Sequence, residues 1–177
     1  MFPKLPPLVG VPLKYGIAGS MLIIILFVIL FYTGKHPLLI SIVTDFRLIL
    51  IPLFVFMSIK EYRDYRNNQV LHFWQGLVIG FNCYFLIGSL TAILILIFSN
   101  IEPEFLNRYI DISTNQLINN KEQVISVVGE NAYNRTLQKM PLTTIVDLAL
   151  DYAMKTLLIG VPLTIIISVL LRRQPIL

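Results

Sequence analysis

The sequence predicts an all-α, polytopic membrane protein: four transmembrane helices, with short amphipathic helices in the outer loop between spans three and four. Three observations carry this. Hydrophobic residues make up 56% of the 177 and charged residues only 14%, against roughly 45–50% and 25% in soluble domains, and the mean hydropathy is +0.76. The apolar residues gather in four runs, each close to the ~20 residues that a ~30 Å hydrocarbon core requires. Lys and Arg collect beside one set of chain ends and loops. A single membrane domain, residues 1–177, follows, with the lipid bilayer as the partner that receives most of its apolar surface.

The first span is expected over about 13–32. Lys4 and Lys14 give it a positive leading end like that of a signal peptide. No small-residue cleavage site follows, since Tyr32, Thr33, Gly34, Lys35 and His36 come next, so the span is retained. The second, 37–59, follows after a very short turn in which Gly34 is the natural breaker. It is long enough to cross but carries Asp45 and Arg47. A hydrophilic stretch, Lys60 to Asn68, leads to the third span, 73–99, which has Trp74 at the headgroup level and contains Gln75 and Asn82. The fourth, 152–171, ends at Arg172 and Arg173.

Four spans put both termini on one side, and the positive-inside rule selects the cytoplasm. Lys4, Lys14, Lys60, Arg63, Arg66, Arg172 and Arg173 then lie inside. The net charge of +4 and isoelectric point near 9.3 reflect this asymmetry and anchoring to the cytoplasmic leaflet, and no nucleic-acid partner is implied. The outer segment, 100–141, is mildly acidic and holds apolar stripes at helical spacing, among them Phe105 with Tyr109 and Val124 with Val128. Two or three short amphipathic helices are expected there, with Pro103 as a first helical residue.

Several short landmarks follow one another along the chain: Lys14-Tyr15-Gly16 at the start of the first span, Lys60 to Asp64 (KEYRD) after the second, Phe73 to Gly76 (FWQG) opening the third, Pro103 to Leu106 (PEFL), and a last span ending Ser168 to Arg173. In these the chain resembles small four-span inner-membrane proteins of Bacteroidota known only as a domain of unknown function, number four-one-nine-nine. A glycine-rich stretch usual before the third span is replaced here by Asn67 to His72. The resemblance implies a bacterial inner membrane and brings no catalytic residues with it.

Charged side chains within a span cost at least ~2.5 kcal/mol each on insertion scales, which singles out Asp45, Arg47 and Lys155, with Asp151 just before the fourth span. At 1.5 Å per residue Asp45 lies roughly 10 Å deep, Arg47 about 14 Å and Lys155 near 5 Å. Two residues apart on one helix, Asp45 and Arg47 point to different sides and need partners elsewhere. Asp147, Asp151 and Lys155 recur every four residues, acid before base, the favourable order for a ladder along one face. The favoured reading is structural: Asp151 pairs with Lys155, and Asp45 and Arg47 join them across the bundle. The other is a proton or ion pathway in which Asp45 titrates, though the second span carries no charge from Leu48 to Met57.

Pro52 and Pro162 kink two spans. Gly76 and Gly80 on the third span, and Gly16 and Gly19 on the first, permit close helix approach, most simply of one against three. Gln75 and Asn82 read as interhelical hydrogen bonds. Cys83 is the single cysteine, and His36 and His72 fall at opposite faces, so no metal site, disulfide or cofactor is expected. No catalytic triad, phosphate loop or carboxylate pair is present. These features lead to a non-catalytic inner-membrane protein, an accessory or assembly subunit of a larger membrane complex. Phe105, Tyr109, Val124 and Val128 would meet other membrane-protein subunits. The alternative is a small proton- or ion-coupled transporter or channel acting as an oligomer.

Overall fold

A computed structural model describes residues 5–40, 45 and 47–174. Lys4 and the part of the expected second span at 41–44 and 46 lie outside the described residues. The described chain is helical, in the order α1 (Pro7–Tyr32), α2 (Arg47–Glu61), α3 (Phe73–Ile101), α4 (Glu104–Asn119), α5 (Lys121–Val128), α6 (Glu130–Lys139) and α7 (Ile145–Leu171). A π-helical turn, Tyr62–Arg66, extends α2, and a 3-10 turn, Met140–Leu142, precedes α7.

Three helices, α1, α3 and α7, are long and apolar enough to cross a membrane, the architecture of a multi-pass membrane protein. The expected second span differs. Residues 37–40 form turns and bends, and α2 begins only at Arg47, giving 15 residues and a rise of about 22 Å. Asp45 supplies the local reason: its carboxylate accepts the Arg47 backbone N–H at 3.1 Å, a side-chain turn that starts a helix rather than continuing one. The last helix, in contrast, starts earlier than expected. Thr144 and Asp147 form a reciprocal capping box at its N-terminus, so Asp147 serves as a cap and not as the first rung of a ladder with Asp151.

Contacts between helix ends fix the directions. Lys14 near the start of α1 is 2.7 Å from Glu61 at the end of α2, and the backbones of Leu71 and Arg173 bridge the approach to α3 with the end of α7. The Tyr32 hydroxyl donates to Glu102, joining the ends of α1 and α3. Helices α1 and α3 are therefore parallel, and α2 and α7 run against them. Gly34, at φ +83°, makes the tight exit from α1 that a side chain would strain.

Apolar residues occupy both the inside and the outside of this bundle. On α1, Ile17, Met21, Ile25 and Ile29 face outward while Gly16, Gly19, Ser20, Ile23 and Phe27 are buried. This is the pattern expected where lipid accepts apolar surface and close packing, rather than hydrophobicity, selects the interior. Gly16 and Gly19 do meet α3: a Cβ on either would fall 2.9 Å from Leu86 or Ile87. Gly76 and Gly80 meet α7 instead of α1. A Cβ on Gly76 would lie 2.6 Å from the Ser168 hydroxyl, and Gly80 abuts Thr164. From the other side, Gly160 of α7 receives the Tyr84 ring. The expectation of one against three therefore holds for the α1 glycines and is corrected to three against seven for the α3 pair.

Candidate functional site

Arg47 opens α2 with its guanidinium inside the bundle, its side chain only 5% exposed. Its Nε donates to Asp45 Oδ1 at 2.7 Å and its Nη2 to Asp45 Oδ2 at 2.7 Å. The same Nη2 donates to the Pro37 carbonyl at 2.5 Å. Asp45 and Arg47 thus pair directly and in a bidentate way, contrary to the expectation that they point apart. That expectation assumed both lie on one helix. Asp45 instead precedes α2, and its side chain folds back over the first turn.

Asp151 and Lys155 pair as expected, at 2.6 Å, on the exposed part of α7. A cavity of about 450 Å³ lies between the start of α2 and α7, and Asp45, Arg47, Asp151 and Lys155 all stand in its walls together with Tyr109 and Tyr152. The four charges are grouped around one space as two separate ion pairs, not fused into a single network.

At the same end of the bundle, α4 docks through Phe105, which is completely buried among Phe27, Phe31 and Phe98. The His36 ring completes this cluster, 4.6 Å from Phe105 and 5.4 Å from Tyr109. Its Nδ1 accepts from the Leu38 N–H, which leaves Nε2 to donate to the Phe105 carbonyl at 3.2 Å. Burial pushes the His36 pKa down to about 4, and the nearby Arg108 acts in the same direction. His36 had no visible partner in the sequence. The spacing of Phe27 and Phe31 by four residues is the one signal that marked an aromatic face there.

The residues expected to meet partners therefore separate. Phe105 is an internal anchor, because an apolar stripe on an amphipathic helix that touches the bundle looks the same as one that touches another protein. Tyr109 and Val124 are half-buried, and Val128 is 52% exposed. The neighbouring Val127 reaches 80% exposure, and α5 contains no buried residue. Gln75 accepts from the His72 N–H and the Asn67 amide and donates to the Tyr62 hydroxyl, tying the α2–α3 connection together. Asn82 donates to the Val78 carbonyl of its own helix, so it is not an interhelical bond.

A family model described as a protein of unknown function, DUF4199, matches residues 14–173. The chain belongs to the DUF4199 family. No curated protein and no solved structure matches it. For this DUF4199 chain the match runs from Lys14 at the α1–α2 junction to Arg173 at the bridge with Leu71.

Proposed function

We propose that the protein is a non-catalytic accessory or assembly subunit of a larger membrane complex in a bacterial inner membrane. In this reading the second apolar run completes a fourth crossing, both termini are cytoplasmic, and α4–α6 lie on the outer side. One observation carries the assignment. Helix α5 has eight residues and buries none of them, yet it presents Val127 and Val128 to the surroundings. A helix this short is marginal in water on its own, so a covering surface contributes to its stability. The mildly acidic character of the segment favours a protein partner over a membrane-lying role, which usually comes with dense Lys and Arg on the polar face.

The transporter reading has its own support in the charges gathered at the α2–α7 cavity. Against it, α2 carries no charged residue between Arg47 and Lys60, so a pathway would be dry for most of its length. Purification in mild detergent distinguishes the two. Stoichiometric co-purifying membrane subunits support the accessory role; a protein that purifies alone and conducts ions in liposomes overturns it.

A further inference from the structure

Helices α3 and α7 pack in antiparallel register at one end of the bundle. Gly76 abuts Ser168, Gly80 abuts Thr164, and the Tyr84 ring abuts Gly160, so each step of four along α3 is answered by a step of four back along α7. Beside this seam a groove of about 380 Å³ opens to the outside of the bundle, walled by Leu77, Val78 and Phe81 of α3 and by Leu157, Val161 and Ile165 of α7. Phe81, Val161 and Ile165 are exposed. The polar side chains along it are withdrawn: the Asn82 amide donates to the Val78 carbonyl at 2.9 Å, and the Tyr84 and Thr164 hydroxyls are buried. What the groove accepts is hydrocarbon.

The groove is confined to one half of the bilayer and leads to a basic end. Its lining stops at Tyr84 on α3 and Leu157 on α7. Leu157 lies about 22 Å along α7 from Arg172, the depth of one headgroup layer and half of a ~30 Å core. A partner helix would follow both helices across the whole core, whereas an acyl chain fills a single leaflet. At the mouth, Val161, Ile165 and Arg172 are spaced by four and seven and so share a face of α7, and Trp74, Val78 and Phe81, spaced by four and three, share one of α3. Arg172 keeps a helical φ of −55°, and the chain around it is held. Arg173 exchanges two backbone hydrogen bonds with Leu71, at 2.9 and 3.2 Å, and Arg63 donates to the Leu171 carbonyl at 3.3 Å. Arg172 and Arg173 are exposed, and neither has an ion pair among the described residues. Asp64, the acid near Arg173, is taken by Arg63 at 2.7 Å; that bond holds its carboxyl below the usual carboxylate range, with Lys60 and Arg173 acting in the same direction.

We propose that the α3–α7 groove binds one anionic phospholipid of the adjoining leaflet. An acyl chain lies between Phe81 and Val161, the Trp74 ring sits at the headgroup level, and Arg172 meets the phosphate, as basic sites between spans hold anionic headgroups. The surrounding Lys60, Arg63 and Arg173 disfavour a headgroup that carries its own ammonium. This goes beyond the subunit role and holds whichever side of the membrane that end faces.

Native mass spectrometry of the full chain in a neutral detergent tests this with dioleoyl phosphatidylglycerol, dioleoyl phosphatidylcholine and glycerol phosphate as probes. One saturable equivalent of phosphatidylglycerol is expected, and glycerol phosphate should not be retained. Phosphatidylcholine should bind about fivefold more weakly, the equivalent of the ~1 kcal/mol that one basic residue contributes near an anionic surface. Arg172→Gln should bring the two lipids close to parity. Val161→Trp fills the groove from an exposed position and leaves every charge in place; it should lose the saturable equivalent at an unchanged melting temperature. Met154→Trp, at an exposed position of α7 outside the groove, should bind as the native chain does. Equal uptake of the two lipids by the native chain, an unchanged preference in Arg172→Gln, undiminished binding by Val161→Trp or an equal loss in Met154→Trp overturns the proposal. So does a lipid-free dimer that Val161→Trp abolishes, which would make a second copy the occupant.

Discussion

His36 donates from Nε2 to the backbone carbonyl of Phe105, 3.2 Å away, and so fastens the start of α4 to the turn after α1. Protonation of the ring leaves that bond in place but removes Nδ1 as the acceptor for the Leu38 N–H, and burial holds the pKa down to about 4 from an ordinary 6.5. A base whose folded pKa is depressed binds fewer protons folded than unfolded between those two values, so stability falls as pH drops through that window. The melting temperature in detergent should therefore decline from pH 7 towards pH 4, and His36→Gln, which does not titrate, should flatten the decline. A variant with the same pH dependence as the native chain would show that other groups govern it.

The contact of α3 with α7 gives a second expectation. A Cβ on Gly76 would meet Ser168 Oγ at 2.6 Å and the Ser168 Cα at 3.2 Å, whereas one on Gly88 would find its nearest neighbours at 3.6 Å. Gly76→Ala should therefore force the two helices apart and cost about 1–3 kcal/mol, the range for overpacking. Gly88→Ala should be close to neutral. Reversible denaturant titration in mixed micelles compares them, and equal losses would mean that the close approach is not specific.

Small residues at spacing four were legible in the sequence as places of close approach, but which helix they meet was not. Spacing assigns a face, and only closure of the bundle decides what lies opposite, so Gly76 and Gly80 turned to α7. The apolar runs of α1, α3 and α7 were legible because hydropathy summed over a span needs no tertiary information. The second run failed as a continuous helix for the same reason: an average is blind to Pro37 and to a carboxylate at Asp45 that can start a helix locally. Asp45 and Arg47 meet only because Asp45 precedes α2; at spacing two on one helix their side chains would diverge.

That pair makes the third expectation. Removing one partner of a buried ion pair leaves the other uncompensated, at a cost of about 3–5 kcal/mol, while removing both costs less. Arg47→Met should reduce stability and yield strongly. The double variant Asp45→Leu with Arg47→Met should recover part of the loss, although the Pro37 carbonyl then lacks its donor. Thermal unfolding of the three proteins measures the coupling, and additive losses would argue against a structural pair. For the transport alternative, Asp45→Asn with full folding but abolished ion flux is the decisive result.

Topology supplies the fourth. A reporter active only outside the cytoplasm should be active when fused after Asn120 and inactive after Asn67 or Leu177. Helix α2 alone is too short for the full hydrocarbon thickness, so the crossing depends on the residues preceding Arg47. Activity after Asn67 would mean that this run does not cross.

The last expectation concerns the α4–α6 segment, where burial divides residues of similar chemistry into two roles. Phe105 has no exposed surface and contacts three phenylalanines of α1 and α3, so Phe105→Glu would bury a carboxylate among those rings and replace the aromatic packing that seats α4. It should detach α4 and destabilise the chain. Val127 and Val128 touch little of the bundle and are largely exposed, so glutamate at both should leave folding and membrane insertion intact, because surface changes usually stay within about 0.5 kcal/mol. If α5 is the contact surface, the valine double variant should release co-purifying subunits at an unchanged melting temperature. Retention of every partner by that variant, and equally by a chain in which 121–128 is replaced with a flexible linker, would move the interface to the membrane-facing helices. The outward row of α1, Ile17, Met21, Ile25 and Ile29, would then be the next surface to alter, since these residues are exposed while Gly16 and Gly19 of the same helix are buried.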